Sequence, residues 1–192
     1  MSQENDTTSD NLINHFLIAM PQLQDSYFGN TVIYMWQHNQ EGSLGSVINL
    51  PIKMQFSEVM EQLEIEVTRL DLANLEVLSG GPVEVDKGFI IHDSPGDWSS
   101  SFMVTDDIQI TTSKDILSDI SHGEGPENFL FTLGCAGWSP GQLEQELKDN
   151  AWITCPASKE ILFSKDYEKK PDMAAATLGF TMSQLSSDAS FH

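Results

Sequence analysis

A mixed α+β fold is predicted by three features of this 192-residue chain. Short runs rich in β-branched and aromatic residues recur at 11–20, 31–37, 75–78, 87–91 and 129–133. An amphipathic helical pattern follows Ser57, where Val59, Met60, Leu63 and Val67 alternate at helical spacing with Glu58, Glu61, Glu64 and Glu66. Gly134 to Glu146, G-C-A-G-W-S-P-G-Q-L-E-Q-E, reads as a strand-to-helix turn written in specific residues.

The elements follow in order. Residues 11–20 and 31–37 are expected to be neighbouring strands, joined by a loop containing Pro21, Asp25, Gly29 and Asn30. Residues 44–49 give a strand closed by Pro51, since proline cannot donate to a central ladder. After the helix capped by Ser57, strands resume at Leu75 to Leu78 and Lys87 to Ile91, parted by Ser79-Gly80-Gly81-Pro82-Val83. Ser101 to Thr105 and Ile108 to Ile110 read as short strands around an Asp106-Asp107 turn. Ser113 then caps a brief helix through Ile120, ended by His122 to Pro126.

Phe129 to Leu133 is an apolar run fit for a buried strand, and Gly134, Gly137 and Gly141 sit where the backbone must turn tightly. Ser139 is placed as an N-cap, Pro140 as the first helical residue, and Gln142 three positions on can reach back to the cap's N–H. A strand at Trp152 to Thr154, a turn or short helix from Ser158, and a helix from Asp172 to Leu178 stopped by Gly179 complete the chain. Residues 1–10 and 181–192 read as polar, disordered tails, which leaves 11–180 as a single domain.

Four segments are similar to the AlgH/YqgE family of bacterial proteins. They are Phe16-Leu17-Ile18-Ala19-Met20-Pro21 with Asp25 and Phe28; His38-Asn39 followed by Gly42 to Asn49; Gly80-Gly81-Pro82-Val83 leading to Gly88 to His92; and Leu133 to Glu144 running into Asn150-Ala151-Trp152. The likeness spans roughly residues 12 to 180. It implies a mixed, bifurcated β-sheet curled into a pseudo-barrel with helices packed outside, and some members of the family carry the label of transcriptional regulator. Two positions depart from the family pattern. Its frequent N-R-P triplet stands here as Asn49-Leu50-Pro51, so no role for that arginine carries over, and the position of Cys135 is commonly tyrosine.

Charge limits what such a regulator can touch. The chain carries 9 basic and 29 acidic residues, a formal charge of −20, spread evenly over its two halves. Duplex DNA is held by cations that displace its counterions, and this chain offers only Lys159, Lys165, Lys169 and Lys170, interrupted by Glu160, Asp166 and Glu168. That grouping reads as a solvated face near a helix end. Direct nucleic-acid binding and attachment to an anionic membrane are therefore not expected. No signal-like apolar run opens the sequence and no stretch approaches a membrane span, so a cytoplasmic protein is expected, a monomer or weak oligomer.

Catalytic chemistry has few candidates. Cys135 on the marked turn, with His38 or His92 as base and Asp25, Asp93 or Asp97 to orient it, is the one nucleophilic set the sequence offers. No nucleophile motif surrounds it, and Cys135 and Cys155 read more simply as packed thiols. No phosphate-cradle pattern follows Gly80-Gly81, and neither the histidines nor the cysteines have metal-ligand spacing, so no cofactor and no metal are expected.

A binding role fits more of the residues. Three glycine-rich turns (Gly42 to Gly45, Gly80-Gly81 and Gly134 to Gly141) adjoin strands, a layout that lines one end of a sheet with loops able to hold a ligand or protein partner. The candidate lining residues are Asn49, Gly80, Gly81, Pro82, His92, Gly137, Trp138 and Gln142. Each has a plainer reading: Asn49 satisfying local backbone, Gln142 serving only the cap, and Trp138 lying in the core. Trp98, in a Ser-rich loop, is expected on the surface as an anchor for a partner. The sequence thus favours a non-enzymatic regulatory or binding protein acting on transcription indirectly. The alternative is a small-molecule binder or hydrolase with its pocket at the glycine-rich turns.

Overall fold

A computed structural model describes residues 11–189, with side chains from 11 to 185. The tails expected at 1–10 and 190–192 lie outside the described residues. The strands, in chain order, are β1 (His15–Ala19), β2 (Val32–Asn39), β3 (Gly42–Val47), β4 (Pro51–Gln55), β5 (Glu76–Ser79), β6 (Val83–His92), β7 (Ser101–Met103), β8 (Gln109–Thr111), β9 (Phe129–Trp138) and β10 (Trp152–Pro156). The helices are α1 (Phe56–Gln62), α2 (Lys114–Ser121), α3 (Gln142–Lys148), α4 (Lys159–Leu162), α5 (Lys170–Ala176) and α6 (Met182–Ala189). They fall into two units, Met1–Ser46 with Ala136–His192, and Val47–Cys135.

In the first unit the strand order is β10-β1-β2-β3 followed by the end of β9. The expected adjacency of the first two strands is present: β1 pairs antiparallel with β2, Leu17 facing Ile33, and on its other edge with β10, Leu17 facing Thr154. Phe16, Leu17 and Ile18 are all fully buried, as a continuous apolar run requires when both faces of a strand are covered. The Tyr34 hydroxyl donates to Asn14 Oδ1 at 2.8 Å and the Trp36 indole N–H to Ser46 Oγ at 3.0 Å, so the polar atoms carried into this core are satisfied.

The helical end of this unit differs in part from expectation. Ser158 caps α4 by accepting from the Ile161 N–H, and Gly179, at φ +87°, ends the turn after α5 with its N–H on Ala176 C=O, as the sequence predicts. The segment from 181, expected as a disordered tail, instead forms α6 and buries Leu185. Its start is fixed by Thr181, whose hydroxyl accepts from the Gln184 N–H while Gln184 Oε1 accepts from the Thr181 N–H, a reciprocal cap masked by the polar composition.

The Val47–Cys135 unit has the order β4-β5-β9-β6-β8-β7, with β5 parallel to β9 and the other paired strands antiparallel. Helices α1 and α2 lay Phe56, Val59, Met60, Ile116, Leu117 and Ile120 on a core that includes Val77, Ile90 and Phe131. Pro51 does not end a strand but begins one, β4, where its missing N–H costs nothing at a strand's first residue. The helix after it starts at Phe56 rather than at Ser57's cap, because the Gln55 N–H donates to the Glu58 carboxylate at 2.8 Å. It stops at Gln62, short of Val67, where Glu64 turns to φ +59°. Ser113 stands at the N-cap position of α2, but its hydroxyl donates to Asp115 Oδ1 at 2.6 Å and makes no cap bond to the helix backbone.

Strand β9 is longer than the apolar run suggests. It pairs with β5 and β6 in one unit, and its last residues, Ala136 to Trp138, pair with β3 in the other, which is the branching that the family resemblance implies. Gly134 turns at φ +79°, and hydrogen bonds from neighbouring strands then carry Cys135 to Trp138 on as strand where local sequence alone favours a turn.

Candidate functional site

The glycines expected to form a turn are used to bring backbones together. Gly134 has φ +79°, and a Cβ there would collide with Gly81 O. A Cβ on Gly80 would collide in turn with Gly134 O. The Gly80 N–H donates to Leu133 C=O at 2.7 Å and its C=O accepts from the Val47 N–H at 2.8 Å. That N–H, needed for a phosphate cradle, is therefore already engaged. The Ser79 N–H donates to Leu50 C=O, so Asn49 lies in the loop bracketed by these two bonds and beside Gly80; Pro82 follows exposed at the start of β6.

Gly137, Trp138 and Gln142 belong to the other unit. Ser139 C=O accepts from the Gln142 N–H at 2.9 Å across Pro140 and Gly141, and Gly141 has φ +80° and ψ −11°. This is a type II turn with proline and glycine at its two corners, so α3 begins at Gln142 and not at Pro140. The expected reach-back is present: Gln142 Oε1 accepts from the Ser139 N–H at 2.9 Å. Gln142 then donates to Glu146 Oε2, while Glu146 Oε1 accepts from both indoles, Trp138 at 2.9 Å and Trp152 at 2.8 Å. Trp138 is 7% exposed, so this cluster is a structural knot with its polar atoms turned on one another.

The nucleophilic set is not assembled. Cys135 is buried, and burial pushes its thiol up to about 11, away from the thiolate. His92 stands opposite Phe129 and Cys135 opposite Val83, at the two ends of the β6–β9 ladder. His92 is itself fully buried, with Nδ1 2.9 Å from Asp93 C=O and Nε2 2.8 Å from Thr111 Oγ1. The carbonyl can only accept, so Nδ1 carries the proton and Nε2 accepts from the Thr111 hydroxyl. Burial lowers its pKa and keeps the ring neutral. The Asp93 carboxylate is spent on Asn128, at 3.0 Å to its N–H and 2.8 Å to its side-chain amide. His38 Nδ1 accepts from the Leu12 N–H, which leaves Nε2–H to donate to Glu144 at 2.9 Å, and that bond holds the Glu144 carboxyl below its usual range.

Two surface expectations are corrected. Trp98 is half-buried, its N–H on Asp119 Oδ2 at 2.9 Å and its ring edge-on to His92 at 5.0 Å, because the loop folds back on α2. Lys170 is not on a solvated face. It is fully buried, with Nζ 2.9 Å from Leu162 C=O and 5.2 Å above the Tyr167 ring.

The sequence does not reveal the groove of the Val47–Cys135 unit. A cavity of about 420 Å³ has an apolar floor of Val59, Leu63, Ile90, Leu117, Phe131 and Leu133. Gln62, Asp86, Thr112, Ser113 and Lys114 rim it. It opens where β8 leaves β6 after Thr111 and the chain turns into α2. None of the eight candidate lining residues borders it. One signal lies in the sequence: Val83-Glu84-Val85-Asp86 alternates as a strand does, ahead of the expected start at Lys87.

A family profile described as AlgH-like matches residues 16–183. The UPF0301 protein of Legionella pneumophila (strain Corby) is 46% identical over 178 residues, covering 93% of this chain and 95% of the relative. The UPF0301 protein of Chromobacterium violaceum is 46% identical over 177 residues, covering 92% and 95%. The solution structure of the AlgH protein from Pseudomonas aeruginosa aligns with a TM-score of 0.79 at 43% identity, over 92% of this chain and 94% of that one. A crystal structure of a Corynebacterium diphtheriae protein shares the fold at TM-score 0.67 and 15% identity, over 90% and 93%.

Proposed function

The chain belongs to the AlgH-like family, and from that premise we propose that it is a non-enzymatic regulatory protein that works by binding a protein partner in the groove of its Val47–Cys135 unit. The observation that carries this reading is the groove itself, a cavity whose wall includes the half-buried Leu63 and Leu133 above core residues, rimmed by the exposed Gln62, Asp86 and Lys114. The separation of Cys135 from His92 and the engagement of both His92 nitrogens favour binding over nucleophilic catalysis. Any effect on transcription is indirect in this reading, since a charge of −20 opposes the phosphate contacts that hold duplex DNA. The protein works in the cytoplasm; among the described residues no helix is long and apolar enough to cross a membrane.

The test is to pass lysate of the source organism over the immobilised protein at low and high salt, beside the Leu63→Lys variant, and identify what each retains by mass spectrometry. A stoichiometric protein held at high salt by the wild type and lost by Leu63→Lys is the expected result. A small molecule retained without protein would favour the ligand-binding alternative, and a protein retained equally by the variant would place the site elsewhere.

A further inference from the structure

β7 is the outermost strand of its sheet, paired with β8 and with no strand on its other side among the described residues. The ladder shows which of its backbone groups face outward. The Thr112 N–H donates to Ser100 C=O and the Val104 N–H to Ile108 C=O, so in this antiparallel pair Ser100, Phe102 and Val104 turn toward β8. Ser101 and Met103, opposite Thr111 and Gln109, turn their N–H and C=O away from it, and neither backbone has a hydrogen bond among the described residues. Phe102 is 40% exposed and Met103 50%, so solvent reaches this edge. An edge strand with outward main-chain donors and acceptors beside exposed apolar side chains is the arrangement that takes up an extended segment.

Charge selects the occupant. Residues 88–113 contain no Lys or Arg, and Asp97, Asp106 and Asp107, on the two flanks of β7, are exposed. The Asp115 carboxylate lies on the same flank as Asp97, accepting from the Ser99 N–H at 2.8 Å and its hydroxyl at 2.9 Å, against Lys114 as the adjoining cation. A second copy of this chain is a poor occupant. Each copy carries −20, and antiparallel pairing about Phe102 would bring Asp107 of one copy toward Asp97 of the other. We propose that an extended segment of a protein partner, with Lys or Arg on both sides of a short apolar core, adds to the outer edge of β7 at Ser101–Met103, its cations meeting Asp97 at one end and Asp106-Asp107 at the other. This surface is separate from the groove, which no residue of β7 lines.

The probe is the synthetic peptide Lys-Lys-Val-Thr-Val-Thr-Val-Lys-Lys, compared with the same peptide N-methylated throughout its Val-Thr core and with one carrying Glu in place of Lys. Binding is followed by titration, and backbone pairing by hydrogen exchange at single amides. In the protein alone, the Ser101 and Met103 amides are expected to exchange at least about ten-fold faster than that of Phe102, and the basic peptide to slow those two at least about ten-fold. The methylated and acidic peptides should bind at least about ten-fold more weakly. Met103→Pro removes an outward donor without touching a bond to β8, and Asp106→Asn with Asp107→Asn removes charge alone. Both variants, checked for native circular dichroism, are expected to weaken the basic peptide at least about five-fold, while Leu63→Lys leaves it unchanged. No binding, equal binding of the methylated peptide, or binding without protection of Ser101 and Met103 would overturn strand addition. Loss of the peptide in Leu63→Lys would place it in the groove and overturn the proposal for β7 while leaving the groove as the partner site.

Discussion

Lys170 is a fully buried lysine with its Nζ on a backbone carbonyl. Burial drives its pKa down from 10.5 to about 7, with Lys165 adding repulsion. The unfolded chain keeps its proton up to the ordinary lysine range, so across that window the native state binds fewer protons and stability rises with pH. Between about pH 7 and about pH 8, where unfolded thiols are still mostly protonated, this one group should add about 1 kcal/mol. Urea unfolding at the two pH values measures it, and Lys170→Met should flatten the rise. Glu146 sets a second test. Its carboxylate accepts from two buried indoles, so Glu146→Ala should cost about 2–4 kcal/mol and change the tryptophan emission, while Glu146→Gln keeps an Oε1 acceptor and should cost less than half as much.

At the next level, two glycines separate conformational strain from close packing. Gly141 has φ +80° and open space where a Cβ would stand, so Gly141→Ala meets only the backbone penalty, about 1 kcal/mol. Gly134 has nearly the same φ but its Cβ would press on Gly81 O, Val83 O and Val85. Gly134→Ala must push β9 away from the Gly80-Gly81 turn and should cost at least about 3 kcal/mol. Chemical denaturation of the two variants gives the comparison, and equal costs would remove the close-approach argument. The bulge in β6 between Val83 and Gly88 lies at the same close approach, with Val83 O and Val85 against Gly134.

For the molecule as a whole, charge is the dominant variable. With 29 acidic residues against 9 basic ones, repulsion opposes compaction and salt screens it. The melting temperature should therefore rise by several degrees between about 20 mM and about 500 mM sodium chloride, measured by scanning calorimetry. In the same buffers the pure protein should not retard duplex DNA on a native gel. Tight binding that weakens steeply with salt would contradict the charge argument.

Periodicity and turn chemistry made much of the fold legible. The β1–β2 pair, the helix after Ser113, the short helix from Ser158, the Gly179 stop, the Gln142 reach-back and the packed thiols all follow from residues within a few positions of one another, and the resemblance supplied the branching of the sheet. Features set by distant partners were not legible. Hydrogen bonds from β3 and β6 carry β9 past Gly134; folding of the 162–170 segment buries Lys170; and Glu146 binds two indoles from different strands. The groove exists because β8 departs from β6 at Thr111. Local sequence encodes where a strand or helix can begin and end, because those energies arise within one turn or one pleat. Register, burial of a charge and the gap between two strands arise from contacts among residues far apart in the chain, and they take definite values only when the sheet has formed.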